Sequence, residues 1–193
     1  AGPILLAALG GLFTWHATIF NISMEGMLLT SAFTAVMGSY FFESWAMGIL
    51  FGILGSLLVS LIFAFFVLKI GTGEFITGIA INSFATGATT YFLRQMFNVK
   101  GSLINPRIVA LPKWNIPVIQ DIPVLGRILS GHAFPLYITF LVIVPLVFFI
   151  IYKTAFGLRL RACGYDAKVI DSVGIKASKL KFISILICGA LCG

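Results

Sequence analysis

Two stretches of this chain, Ser44 to Leu68 and Ala133 to Tyr152, contain no charged residue, and two others nearly match them. Met24 to Phe42 carries one acidic residue near its start, and Phe75 to Phe97 carries only Arg94 near its end. A bilayer core of about 30 Å needs roughly 20 mainly apolar residues in a helix, so all four are long enough to span. They predict an all-α, polytopic transmembrane helical bundle. Only 10% of the 193 residues are charged, against about 25% in an average soluble domain, which argues against a water-soluble fold.

Pro3 to Phe13 and Phe182 to Gly193 are also apolar, but each is about half the length of a crossing. With Ala rather than Met at position 1 and an apolar run reaching Gly193, the chain reads as one transmembrane domain over 1–193, a fragment truncated at both ends. The first segment lacks the basic region that precedes the apolar part of a signal peptide.

The net charge of +7 follows membrane topology. Seven of the 13 Lys and Arg fall between Lys153 and Lys181, and short basic loops between apolar segments are usually cytoplasmic. No aromatic stripe interleaves these charges for base stacking, so nucleic acid is not expected as a partner. Parity then places 98–132, which holds four of the seven prolines, outside as an extended loop. The stretch Thr14 to Ser23, TWHATIFNIS, is polar enough to interrupt a helix. It predicts a broken helix, tolerated at membrane depth only where protein or a water-filled cavity surrounds it, with Ser23 capping the helix that follows. Gly48, Gly52 and Ser56 recur every four residues, the small-residue spacing that lets membrane helices approach closely.

Glu25 is the one acidic residue within a candidate span, and intramembrane carboxylates suggest solute or ion pathways. Its place in a first helical turn equally suits a dipole partner. Asn82, Thr77 and Thr86 form part of a polar stripe on Phe75 to Phe97, able either to line a hydrophilic path with Asn21 or to bond neighbouring helices. His16 and His132 lack clustered ligands, and Cys163, Cys188 and Cys192 form no metal pattern. No metal site is expected.

The wettest stretch, GLRLRACGYDAKVIDSVGI, runs from Gly157 to Ile175. Asp166 is a good N-cap for a helix over Ala167 to Val173, and Gly174 suits a left-handed residue just past its end, with Ile175 packing back on Ile170. Ala167, Ile170 and Val173 recur three apart, a stripe left facing water unless something covers it. Docking to a partner or lying on membrane lipid would each cover it. The sequence contains no GxxxxGK[ST] phosphate loop, nucleophile elbow or HExxH, so an enzyme reading finds no residues and nucleotide binding by that loop is excluded. From composition alone an ion-coupled secondary transporter is as good a reading as an ATP-driven one.

The segments FNISMEGMLLTSAF (Phe20 to Phe33) and FGLRLRACGYDAKVIDSVGIKASKLKFISILICGALCG (Phe156 to Gly193) resemble the membrane-spanning permease subunits of bacterial ABC importers, in the branch serving simple sugars, nucleosides and branched-chain amino acids. TGEFITGIAINSFATGATTYFLRQMF (Thr72 to Phe97) and IPVLGRILSG (Ile122 to Gly131) resemble the nucleoside and simple-sugar subgroup. The resemblance implies that 153–181 is a cytoplasmic coupling loop whose short helix, Ala167 to Val173, docks on a separate ATPase subunit. Gly157, Arg159, Arg161, Gly164, Asp166 and Gly174 match the loop signature, while Tyr165 stands where an acid is commoner and Ser23 fills a usual glycine slot. It further implies a second permease chain, two ATPase subunits, an extracellular solute-binding protein and a place in the bacterial inner membrane. ATP would be hydrolysed by the partners and no cofactor bound by this chain, with a nucleoside favoured over pentose or hexose as solute.

Overall fold

The computed structural model describes residues 2–97 and 134–193, and the described residues are helical throughout apart from short connections. The expected outer loop, 98–132, lies outside them. In chain order the helices are α1 (Gly2–His16), α2 (Met24–Phe42), α3 (Trp45–Ala64, continuing as a π-helix over Phe65–Ile70) and α4 (Glu74–Phe97). After the gap come α5 (Phe134–Ile138, a π segment Thr139–Ile143, then Val144–Lys153), α6 (Ala155–Tyr165), α7 (Ala167–Ser172) and α8 (Ala177–Cys192).

Apolar length sets these boundaries, and tight local turns end the helices. Between α2 and α3 the chain reverses over Glu43, which adopts a left-handed φ of 49°, and an extended Ser44. At the end of α3 the backbone widens to π winding and stops at Gly71, with φ 78°. Among the described residues two helices are long and apolar enough to cross a membrane: Trp45–Ile70, with mean hydropathy 2.6, and Leu136–Lys153, with 2.3. The other two stretches expected to span form α2 and α4, of 19 and 24 residues. They have the length, but their glycine, serine and threonine content lowers their hydropathy.

Along most of α3 small residues are buried and large ones exposed, with Val59 and Phe63 near its end turned inward. On α3, Gly48, Gly52, Ser56 and Ser60 are buried, whereas Leu50, Leu54, Leu58, Leu61 and Phe65 are exposed. Only 33% of the most apolar window of this helix is inside the protein. Large side chains outward and small ones inward is the arrangement expected where lipid is the solvent and close backbone approach holds the helices. A Cβ at Gly48 would stand 3.1 Å from the Ala35 carbonyl of α2, and one at Gly52 would stand 3.3 Å from the Ala35 side chain. The Ser56 hydroxyl donates to the Gly189 carbonyl of α8 at 2.7 Å. Membrane hydrogen bonds of this kind average about 0.6 kcal/mol, so the small-residue contact and the bond together fix how α2, α3 and α8 meet. α1 packs along α8 at Gly10, where a Cβ would stand 3.0 Å from the Cys188 Cα. The shared core includes Phe13, Met27, Phe63, Ile151, Leu160 and Ile185.

Candidate functional site

The break between α1 and α2 is shorter than the sequence suggests, because Thr14, Trp15 and His16 complete α1 and the irregular backbone covers only 17–23. The Thr14 hydroxyl finds its partner within α1, donating to the Gly11 carbonyl at 3.0 Å. Thr18 then turns left-handed, with φ 55°, and redirects the chain. Backbone polar groups freed in an apolar setting must find partners, and here the surrounding elements supply them. The Glu74 carboxylate, in the first turn of α4, accepts from the Phe20 amide. The Thr18 hydroxyl donates to the Gly164 carbonyl of α6 at 2.8 Å. Asn21 is buried, donates through Nδ2 toward Cys188 Sγ at 3.4 Å, and accepts through Oδ1 from both the amide and the hydroxyl of Ser23.

That last bond corrects the expected cap. Ser23 occupies the N-cap position of α2, but its side chain makes no capping bond, because the Asn21 carboxamide takes its hydroxyl at 2.7 Å. The cap comes instead from a different helix. Asn82 of α4 accepts from the Gly26 amide at 2.8 Å and donates to the Ile22 carbonyl at 3.0 Å, satisfying one free donor of the first turn and one acceptor of the break. Gly78, one turn earlier on the same face, lets α4 lie this close: a Cβ there would stand 2.9 Å from the Ile22 Cβ.

Asn21 and Asn82 therefore meet at one joint. The other polar residues singled out from the sequence do not converge with them. Glu25 is exposed on the first turn of α2. Thr77 is buried, paired with Thr72 at 2.8 Å and with the Gly73 carbonyl at 2.9 Å. Thr86 is exposed and donates back to the Asn82 carbonyl at 2.9 Å. Sequence reasoning missed Glu74 and Thr18; the only signal for Glu74 was an acid opening a helix after a Gly-rich turn.

On the other side of the joint lies the polar stretch. Thr154 caps α6 by accepting from the Gly157 amide at 3.3 Å. Asp166 caps α7 by accepting from the Lys168 amide at 2.9 Å. α7 ends at Ser172, one residue before the expected Val173, which is its C-cap. Gly174 has φ 83°, its amide donates to the Asp171 carbonyl at 3.0 Å, and the Ile175 amide donates to the Ile170 carbonyl at 3.2 Å. These two bonds are the paired closure of a Schellman ending. Asp171 also accepts from the Ala177 amide at 2.8 Å and so caps α8, a role not foreseen.

The apolar stripe is divided. Ile170 is 6% exposed and packs into the chain's own core, Ala167 is half-buried, and Val173 is 71% exposed. With Val169 at 57% and Tyr165 at 95% exposed, the open apolar face is Tyr165, Val169 and Val173. Arg159 is exposed, whereas Arg161 is half-buried with its guanidinium carbon 5.3 Å from the Tyr152 ring centroid. Gly164 touches the joint directly, since a Cβ there would lie 2.4 Å from the His16 carbonyl oxygen. A cavity of about 760 Å³ lies where the break, the start of α4 and α6 meet. Trp15 and Phe20 wall one side, and Arg161, Tyr165, His16 and Glu74 supply polar groups.

Comparison with known proteins gives this arrangement a context. A family described as the permease component of branched-chain amino acid transport systems matches residues 1–193. The guanosine ABC transporter permease protein NupQ of Bacillus subtilis is 32% identical over 200 residues, covering 100% of this chain and 62% of that protein. The nucleoside ABC transporter permease protein NupC of Lactococcus lactis is 30% identical, covering 99% of this chain and 61% of that protein. A Haloferax volcanii protein, TsgC13, named provisionally as a glucose ABC transporter permease, is 27% identical over 100% of this chain and 57% of its own length. The chain thus spans about three fifths of these relatives. No solved structure matches.

Proposed function

Because the chain belongs to the family of permease components of branched-chain amino acid transport systems, we propose that it forms part of the membrane-spanning subunit of an ATP-driven importer. Its solute is a small polar molecule, a nucleoside in preference to a simple sugar, moved by alternating access across the bacterial inner membrane. Separate ATPase subunits bind and hydrolyse the ATP. A second permease chain completes the pathway, and an extracellular solute-binding protein delivers the solute.

The observation that carries this reading is the contact between the broken helix and α6, made by the Thr18 hydroxyl on the Gly164 carbonyl and by the close approach of Gly164 to His16. A partner that moved α6 and α7 would act directly on irregular backbone, which can re-pair its hydrogen bonds at less cost than an intact helix. The nucleoside preference is supported by the names of the relatives, at 32% and 30% identity.

The test uses the full-length permease expressed with its ATPase subunits. Val173→Asp and Val169→Asp place charge on the open face without touching the core, so the protein inserts normally while ATP-driven nucleoside uptake falls at least tenfold, the effect of losing about 1.4 kcal/mol of docking energy. Full uptake by both variants would remove α7 as the coupling element.

A further inference from the structure

The end of α3 and the start of α8 enclose a second cavity that the transport reading does not use. Where α3 turns to π winding, Lys69 lies with its Nζ 5.4 Å from the Phe65 ring centroid. Facing it across a groove of about 740 Å³ are Lys176 and Lys179 of the α8 entry. Three lysines thus line the groove, and among the described residues no carboxylate does. The wall beneath is apolar, formed by Leu61, Ile62 and Phe65 on one side and Phe182 on the other.

Two features specify the occupant. Three lysines, with no carboxylate among the described lining residues, call for an anion of more than one oxygen. The apolar wall below them continues the exposed Leu50, Leu54, Leu58 and Leu61 stripe of a helix long enough to cross a bilayer, so the ligand must also carry a long hydrocarbon chain. Basic pockets between membrane helices bind anionic headgroups on this principle. We propose that this groove is a site for an anionic phospholipid, its phosphate held by Lys69, Lys176 and Lys179 and one acyl chain laid along Leu61 and Phe65. The proposal rests on the chain residing in a membrane, and not on its solute or on its ATPase partners.

The experiment is native mass spectrometry of the full-length permease, delipidated in detergent and titrated with phosphatidylglycerol or phosphatidylcholine. Phosphatidylglycerol is retained and phosphatidylcholine is not. Each lysine near an anionic headgroup contributes about fivefold, so the triple variant Lys69→Gln, Lys176→Gln, Lys179→Gln retains roughly a hundredfold less, while Lys168→Gln, outside the groove, retains the full amount. Where the triple variant fails to fold, Lys69→Gln alone still shows about a fivefold loss. Equal retention of both lipids, or full retention of phosphatidylglycerol by the triple variant or by Lys69→Gln, overturns the site. Displacement of the lipid by millimolar inorganic phosphate also overturns it, by showing that the acyl chain plays no part. A photo-crosslinker at Ser178, on the groove wall, labels lipid in intact membranes; labelling of a protein instead would assign the groove to a docking partner.

Discussion

Asn82 Oδ1 accepts the backbone amide of Gly26 at 2.8 Å, so the first turn of one helix is capped by a side chain from another, with the two residues 56 positions apart. The same carboxamide donates to the Ile22 carbonyl, and one side chain thereby fixes both ends of the bend that joins the break to α2.

Replacing Asn82 with leucine leaves a donor and an acceptor unpaired in a low-dielectric setting, at a cost of about 1–3 kcal/mol. Thermal unfolding of the detergent-solubilised protein should show a clear loss of stability. Asn82→Asp keeps the acceptor for Gly26 and loses the donor to Ile22, and should fall between. A leucine variant as stable as the parent would show that the cap carries no weight.

Two glycines should respond to alanine in opposite ways. At Gly164 a Cβ would meet the His16 carbonyl at 2.4 Å, a backbone contact that cannot yield without moving α6. At Gly87, inside α4, a Cβ meets nothing within 4 Å, and alanine is favoured in a helix by up to about 1 kcal/mol. Gly164→Ala should lower yield and melting temperature, and Gly87→Ala should hold or raise both. Equal behaviour of the two variants would contradict the packing at the joint.

Ile170→Asp and Val173→Asp separate folding from docking. Ile170 is buried against the chain's own core, so the charge should destabilise the protein by about 2–4 kcal/mol, visible as lost detergent-soluble protein. Val173 is open, and its variant should retain parental stability. A stable Ile170→Asp protein would mean that α7 leaves the core in solution.

These outcomes trace which parts of the molecule could be read from sequence. The ends of α2 and the capped, Schellman-closed α7 were legible because length, Asp166 and Gly174 act within a few residues. The cap of α2 was not, since it depends on Asn82 reaching from another helix, and a local acceptor, Asn21, draws the Ser23 hydroxyl away. The division of the Ala167, Ile170, Val173 stripe was hidden for the same reason: periodicity defines a face, while tertiary packing decides which residue of that face turns inward. The π turns at Phe65–Ile70 and Thr139–Ile143 have no periodic signature at all.

Cys163 offers a pH-dependent readout. Burial pushes its thiol pKa up, opposed by nearby Lys181 and aided by Asp171. The folded protein should therefore react with maleimide more slowly than the denatured chain at every pH below the shifted value. Since the raised value belongs to the folded state, the associated stability is complete below the ordinary thiol pKa near 9.0 and is lost as pH rises through the shifted one. Equal alkylation rates in the two states would place Cys163 on an open surface.

Glu25→Gln distinguishes the energy source. Exposed in the first turn of α2, Glu25 contributes about 0.3–1 kcal/mol as a dipole partner, so the variant should keep ATP-dependent uptake in vesicles. Abolished uptake driven by an ion gradient would instead mark an ion-coupled carrier.

Thr18 and Gly164 share one hydrogen bond across 146 positions of sequence, so the broken segment and α6 are joined directly. A displacement of α6 by an ångström or so, about the tolerance of one such bond, reaches the bent segment immediately, without sliding or tilting a long rod. A shift of α6 would be felt first as an exchange of acceptors at Thr18, and vibrational or exchange signals from that single hydroxyl would report it before α2 or α4 had moved.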